Sequence, residues 1–203
     1  MKLRVGLSLA VLLLVSTVAS AASLTVTMYL TAAPGKQGAE VGTITATDTQ
    51  YGMLLTPHLK GLPPGIHGFH VHVNPSCANE GQAAGGHLDP AKTGMHLGPY
   101  DAEGHLGDLP ALTVNAQGEA TLPILAPRLK VTMLQGHALM IHADGDNYSD
   151  QPAALGGGGA RLACGVVKSD AVVSSNRSSS TTDSSGSAAA DSSGNGATNS
   201  KDD

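Results

Sequence analysis

Between residues 22 and 173 the apolar residues recur with a period of two and nowhere sustain a period near 3.6. Leu24, Val26, Met28 and Leu30 alternate with Thr25, Thr27, Tyr29 and Thr31, the pattern of a strand with one buried face. The Thr-rich, β-branched run 43–49 suits an antiparallel neighbour. Further strands are expected over 53–60, 66–73, 109–115, 119–123, 136–142 and 161–167, with residues 115–118 as a hairpin turn. The 26 Gly and 11 Pro, with only 13% charged residues, favour short strands and turns over helical bundles. The expected fold is all-β: an eight-stranded antiparallel Greek-key flattened barrel or sandwich, immunoglobulin-like, with two long functional loops. Those loops are 74–107 and 143–160, each longer than the roughly 12–15 residues usual for a plain connection.

The two ends read differently from this centre. Residues 1–21 have the form of a secretory signal peptide: Lys2 and Arg4, an apolar stretch over 5–18, then the small-x-small site Ala19-Ser20-Ala21. The apolar stretch is shorter than the ~20 residues of a membrane span, so stable membrane insertion of the mature chain is not expected. Residues 174–203 hold eleven Ser among thirty positions and no Val, Ile, Leu, Met, Phe, Tyr or Cys. Such a segment buries too little apolar surface to offset its ordering entropy and is expected to be a disordered tail. One domain, 22–173, remains, with seven Lys+Arg against twelve Asp+Glu, a balance of −5. With four Tyr, one Phe and no Trp there is no stacking surface, and a negative balance offers no phosphate footprint. No nucleic-acid partner is expected.

Nine His stand out in a chain otherwise poor in chemical groups. On the strand 66–73, His70 and His72 point to one face, while His67, Phe69 and Val71 point to the other, towards the core. Two imidazoles so placed can grip one metal from adjacent positions. Downstream come His87, His96, His105 and Asp108, at spacings of nine, nine and three. Three imidazoles and a carboxylate make a closed tetrahedral zinc set. His142 ends another strand. These groups are too many for one metal and natural for two. If His87 is shared, His70, His72, His87 and His142 form a four-nitrogen set suited to copper. The set His87, His96, His105 and Asp108 then suits zinc. The other three His have plainer readings: His67 and His137 as structural residues, and His58, after Pro57 on an edge strand, as solvent-exposed. Cys77 and Cys164, the two cysteines, read as one disulfide in an exported protein.

Four motifs then carry a resemblance: G-F-H-V-H at 68–72, A-G-G-H-L-D-P at 84–90, G-H-L-G-D-L-P at 104–110, and G-G-G-G-A-R-L-A-C-G-V-V at 156–167. Together they resemble copper-zinc superoxide dismutase of the bacterial, exported type, in order and spacing, over nearly all of 22–168. The resemblance implies the disproportionation of superoxide to dioxygen and hydrogen peroxide, protecting the cell envelope from within the periplasm. It implies one copper on His70, His72, His87 and His142, and one zinc on His87, His96, His105 and Asp108. The bridging His87 would leave copper on reduction and take up a proton. Asp146 matches a carboxylate joining a copper His to a zinc His, and Arg161 matches the guanidinium that guides the anionic substrate. The same family carries the Cys77–Cys164 bridge.

Two positions depart from the family's pattern. Val73 stands where bacterial relatives usually carry a charge, and Asp144 where Gly is usual. A carboxylate at 144 is expected to repel superoxide and lower its encounter rate. Two other functions compete: a copper- and zinc-binding envelope protein without turnover, and a dismutase-like structural domain. Loss of Arg161 or of a ligand would mark either, and neither is lost. The apolar surface is compatible with a monomer or a homodimer.

Overall fold

The computed structural model describes residues 21–175. The expected signal peptide up to residue 20 and the expected tail from residue 176 onward lie outside the described residues. β1 (Ala22–Leu30) and β2 (Glu40–Thr49) pair antiparallel with Val26 opposite Ile44, and β3 (Gly52–Leu59) extends the meander with Leu55 opposite Ala46. The alternation has its expected effect: Val26, Met28, Ile44, Ala46, Met53 and Leu55 are buried. β2 begins before its Thr-rich run because the register shifts opposite Met28 and Tyr29, inserting Val41 as a bulged residue that turns inward.

The remaining strands are β4 (Gly65–His67), β5 (Phe69–His72), β6 (Leu112–Val114), β7 (Ile124–Ala126), β8 (His137–His142), β9 (Arg161–Val167) and β10 (Ser174–Ser175). The main sheet runs β5-β8-β9-β1-β2-β3-β7, with β10 also on β1, and β4 and β6 form a separate pair. Every pairing is antiparallel, and sequence-distant neighbours such as β5 with β8 and β3 with β7 give the Greek-key pattern. Among the described residues helix is confined to three 3₁₀ turns, and no helix is long and apolar enough to cross a membrane.

The strand expected over 66–73 breaks at Gly68 because the chain changes partners there. β4 pairs β6, whereas β5 pairs β8; Gly68 N–H donates to Asp144 O at 2.8 Å and Gly68 O accepts from His142 N–H at 2.8 Å. A strand over 119–123 does not form. Asn115 and Glu119 close the hairpin turn, Ala120 makes a single bridge to Leu59, and the ladder resumes only after Pro123, at β7. The strand expected over 109–115 shortens to β6, since Pro110 has no N–H and that of Ala111 goes to the Tyr148 hydroxyl at 2.9 Å. Strand pairing also reaches two residues past 173, with Ser174 opposite Ser23.

Phe69, Val71, Leu139 and Ile141 point into the main core with Ile44 and Leu55. On the other face of β8 and β9, Ala138, Met140 and Cys164 form a smaller buried cluster with Ala84. There the Cys77–Cys164 disulfide joins the first long loop to β9. That loop is pinned along β5 at both ends: Leu88 N–H donates to Val71 O at 2.8 Å, and Val71 N–H to Gly107 O at 2.9 Å.

Candidate metal centre

β5 projects His70 and His72 towards the pinned loop, where isolated bridges set His72 opposite His87 and His70 opposite Asp108. β8 ends on His142, and a register shift after Ile141 sets Arg161 directly opposite it. A bulge re-aims the side chains around it, here two charged or ligating groups at one sheet end. All six imidazoles expected in the site are buried, as is Asp108.

The outer nitrogens of these rings are fixed, and the inner ones converge. His72 Nδ1 donates to Gly85 O at 2.9 Å, and His142 Nδ1 to Gly159 O at 3.4 Å, leaving their Nε2 atoms 3.4 Å apart. His70 Nε2 donates to Asp146 Oδ2 at 2.7 Å and His96 Nε2 to Asp146 Oδ1 at 2.8 Å. One carboxylate thus spans a ring from each expected set. The opposite nitrogens, His70 Nδ1 and His96 Nδ1, are buried without a hydrogen-bond partner, as is His105 Nδ1. Around Asp108 lie His87 Nδ1 at 2.9 Å, His96 Nδ1 at 3.0 Å and His105 Nδ1 at 3.5 Å. His96 Nδ1 is close to Asp108 yet lacks hydrogen-bond alignment, so the two face a common point rather than each other.

Among the described residues two groups have ligand atoms within 4.8 Å of one another: His70, His72, His87 and His142, and His70, His87, His96 and Asp108. The first is the four-nitrogen set expected from the sequence. In the second His70 appears and His105 falls just outside, although His105 still reaches Asp108. Buried nitrogens without partners are costly unless something satisfies them, and a metal at each convergence does so. The donor types suit copper at the all-imidazole set and zinc at the set with a carboxylate.

Electrostatics separates the two halves. Burial lowers His70 to about 3, His72 to about 2 and His142 to about 4, and also lowers His87. These rings are neutral at pH 7, the form that binds metal. Burial opposes protonation at His96 too, but the adjacent carboxylates of Asp108 and Asp146 outweigh it and raise His96 to about 9. Burial alone would raise both carboxyls; the His partners instead hold Asp108 and Asp146 well below the usual carboxylate range.

A cavity of about 340 Å³ opens onto His72, His87 and His142, with Arg161, Gly158 and Gly159 in its wall. Among the described residues no carboxylate lines it. The Arg161 guanidinium is held by Gly81 O and Gly85 O, the latter also accepting from His72. Asp144 is exposed, its carboxylate lying over Gly159 where a Cβ there would sit. Val73 is also exposed.

His67 is buried between Pro63 O and His142 O, and half-buried His137 donates to Val73 O. His58 is exposed as expected, but on a strand flanked by β2 and β7 rather than at an edge. Several further residues support the site from outside the ligand sets. Asp150 accepts from His96 N–H at 2.9 Å and Leu155 N–H at 3.0 Å. Gly156, at φ 73°, leaves room for Asp146 and His96, which a Cβ would strike. Asp150 follows Asp146 by four residues in one loop, a spacing that was a usable signal; the carbonyls of Gly81 and Gly85 leave none.

Residues 40–167 match the family model described as copper/zinc superoxide dismutase (SODC). A superoxide dismutase [Cu-Zn] 1 of Salmonella typhimurium is 61% identical over 140 residues, covering 64% of this chain and 79% of that protein. The solved Cu/Zn superoxide dismutase from Brucella abortus superposes with a TM-score of 0.67 at 47% identity, over 72% of this chain and 99% of its own. The monomeric copper, zinc superoxide dismutase from Salmonella enterica does so with a TM-score of 0.64 at 52% identity, again over 72% and 99%.

Proposed function

The chain belongs to the copper/zinc superoxide dismutase family, and from that premise we propose which of its residues carry each part of the reaction. The protein is an oxidoreductase that converts two superoxide anions and two protons into dioxygen and hydrogen peroxide. Copper, when bound, supplies the one-electron redox chemistry, and zinc a fixed charge with none of its own. His70, His72, His87 and His142 would hold the copper; His87, His96, His105 and Asp108 would hold the zinc.

His87 is shared between the sets. Its Nδ1 faces Asp108, which leaves Nε2 turned to the cavity side. That Nε2 takes up a proton and returns it towards peroxide, while Asp108 keeps the ring in place. Asp146 fixes the rings of His70 and His96, and outer partners of this kind govern orientation and affinity. Arg161, among the described residues the only charged side chain lining the cavity, attracts and holds the anion there. The site is complete within one chain. Residues 1–21 direct export and are removed, placing the enzyme in the periplasm as a guard of the cell envelope.

The observation that carries this reading is the pair of buried ligand groups that share His70 and His87, together with the partnerless Nδ1 atoms of His70, His96 and His105. The test is to load the protein with both metals and follow superoxide decay. Turnover is expected, and His142→Ala should abolish it. Full metal occupancy with decay at the uncatalysed rate would instead mark a metal-holding envelope protein.

A further inference from the structure

We infer that Arg128 is a positioning residue for the second metal: it clamps the loop that carries His105 and thereby sets how firmly zinc is retained. This rests on the assignment of zinc to His87, His96, His105 and Asp108. Arg128 is half-buried in the turn after β7. Its Nη1 donates to His105 O at 3.1 Å, and its Nη2 to Gly104 O at 3.0 Å and Ala102 O at 3.4 Å. A single planar, permanently charged fork therefore gathers three carbonyls of one loop, which a point-like ammonium cannot reproduce.

The base of the clamp is rigid. Leu129, Val131 and Leu134 are buried in the main core. Val131 N–H donates to Asp48 Oδ1 at 2.9 Å and Lys130 Nζ to Thr49 O at 3.1 Å, tying the segment to the end of β2. The clamped loop is the opposite: residues 101–103 are exposed, and its backbone is anchored only after them, by His105 N–H to Met95 O at 2.9 Å and by Gly107, which pairs with Leu88 and Val71.

His105 is also the one expected zinc ligand whose ring lacks a hydrogen bond. Asp146 fixes His96, and Asp108 receives His87 at 2.9 Å, but His105 Nδ1 stands 3.5 Å from Asp108 and outside the tighter group of ligand atoms. Its reach into the site is decided by where its backbone is held, and Arg128 holds that carbonyl.

The test uses Arg128→Gln and Arg128→Lys in the full chain loaded with copper and zinc, measuring release of each metal to a chelator. Cobalt(II) in the zinc position adds a visible spectrum that reports ligand geometry. Arg128→Gln is expected to release zinc about tenfold faster, within the usual range for outer partners of metal ligands, with copper release unchanged and the cobalt bands altered. Arg128→Lys, with one donor arm, should recover part of the retention, and it decides the matter if the Gln variant does not fold. Zinc release at the parent rate in the folded variants, or copper and zinc released faster in the same proportion, would overturn the inference. A parent protein that holds no zinc, or a His105→Ala variant that holds it as the parent does, would overturn the zinc assignment itself.

Discussion

Asp144 lies over Gly159, whose carbonyl accepts from the His142 ring at 3.4 Å, and so places a carboxylate beside a cavity that has none in its lining. The charge stands near the route an anion takes to Arg161. Asp144→Gly is expected to raise kcat/KM by roughly two- to fivefold at low ionic strength, with the gain vanishing as salt screens the charge. Asp144→Asn separates charge from backbone freedom and should show most of the same gain. An unchanged or lower rate in stopped-flow superoxide decay would contradict it. At this scale the placing of His70 and His72 on one face was legible, because alternation along a strand fixes which side chains share a face. Gly85 O, which holds both His72 and Arg161, was not, because a carbonyl's role depends on tertiary position and not on residue type.

The same distinction holds for the elements. Strands with several alternating apolar residues, such as β1, β8 and β9, fall where the sequence pattern sets them. The break at Gly68 was hidden because it follows from a change of pairing partner, and the late start of β7 because its ladder on β3 is interrupted between the Ala120–Leu59 bridge and Ile124. The disulfide works between elements: Cys77 begins the segment whose carbonyls at Gly81 and Gly85 hold Arg161, and Cys164 anchors it on β9. The bridge spans a sequence separation of 87 residues. The chain-entropy model gives such a loop roughly 4–5 kcal/mol, and loss of a native bridge typically costs about 2–5 kcal/mol. The paired variant Cys77→Ser with Cys164→Ser should therefore unfold at lower denaturant, by about 2–5 kcal/mol in metal-free protein. An unaltered midpoint would show that the loop is held by its hydrogen bonds alone.

For the molecule as a whole, the period of two that excludes a helical bundle also explains where the chemistry sits. An antiparallel scaffold gives rigid strand ends, and the two long loops fold back onto them. The net charge of −5 is no bar to an anionic substrate, because attraction is local to Arg161 and the metal positions. The sharing of His87 between two metals is the claim on which every other role depends. It is tested most directly by elemental analysis of the protein loaded with copper and zinc, alongside His142→Ala, His105→Ala and His87→Ala. One copper and one zinc per chain are expected, with copper lost from His142→Ala, zinc lost from His105→Ala, and both impaired in His87→Ala. A parent chain holding a single ion, or His142→Ala and His105→Ala losing the same metal, would contradict it.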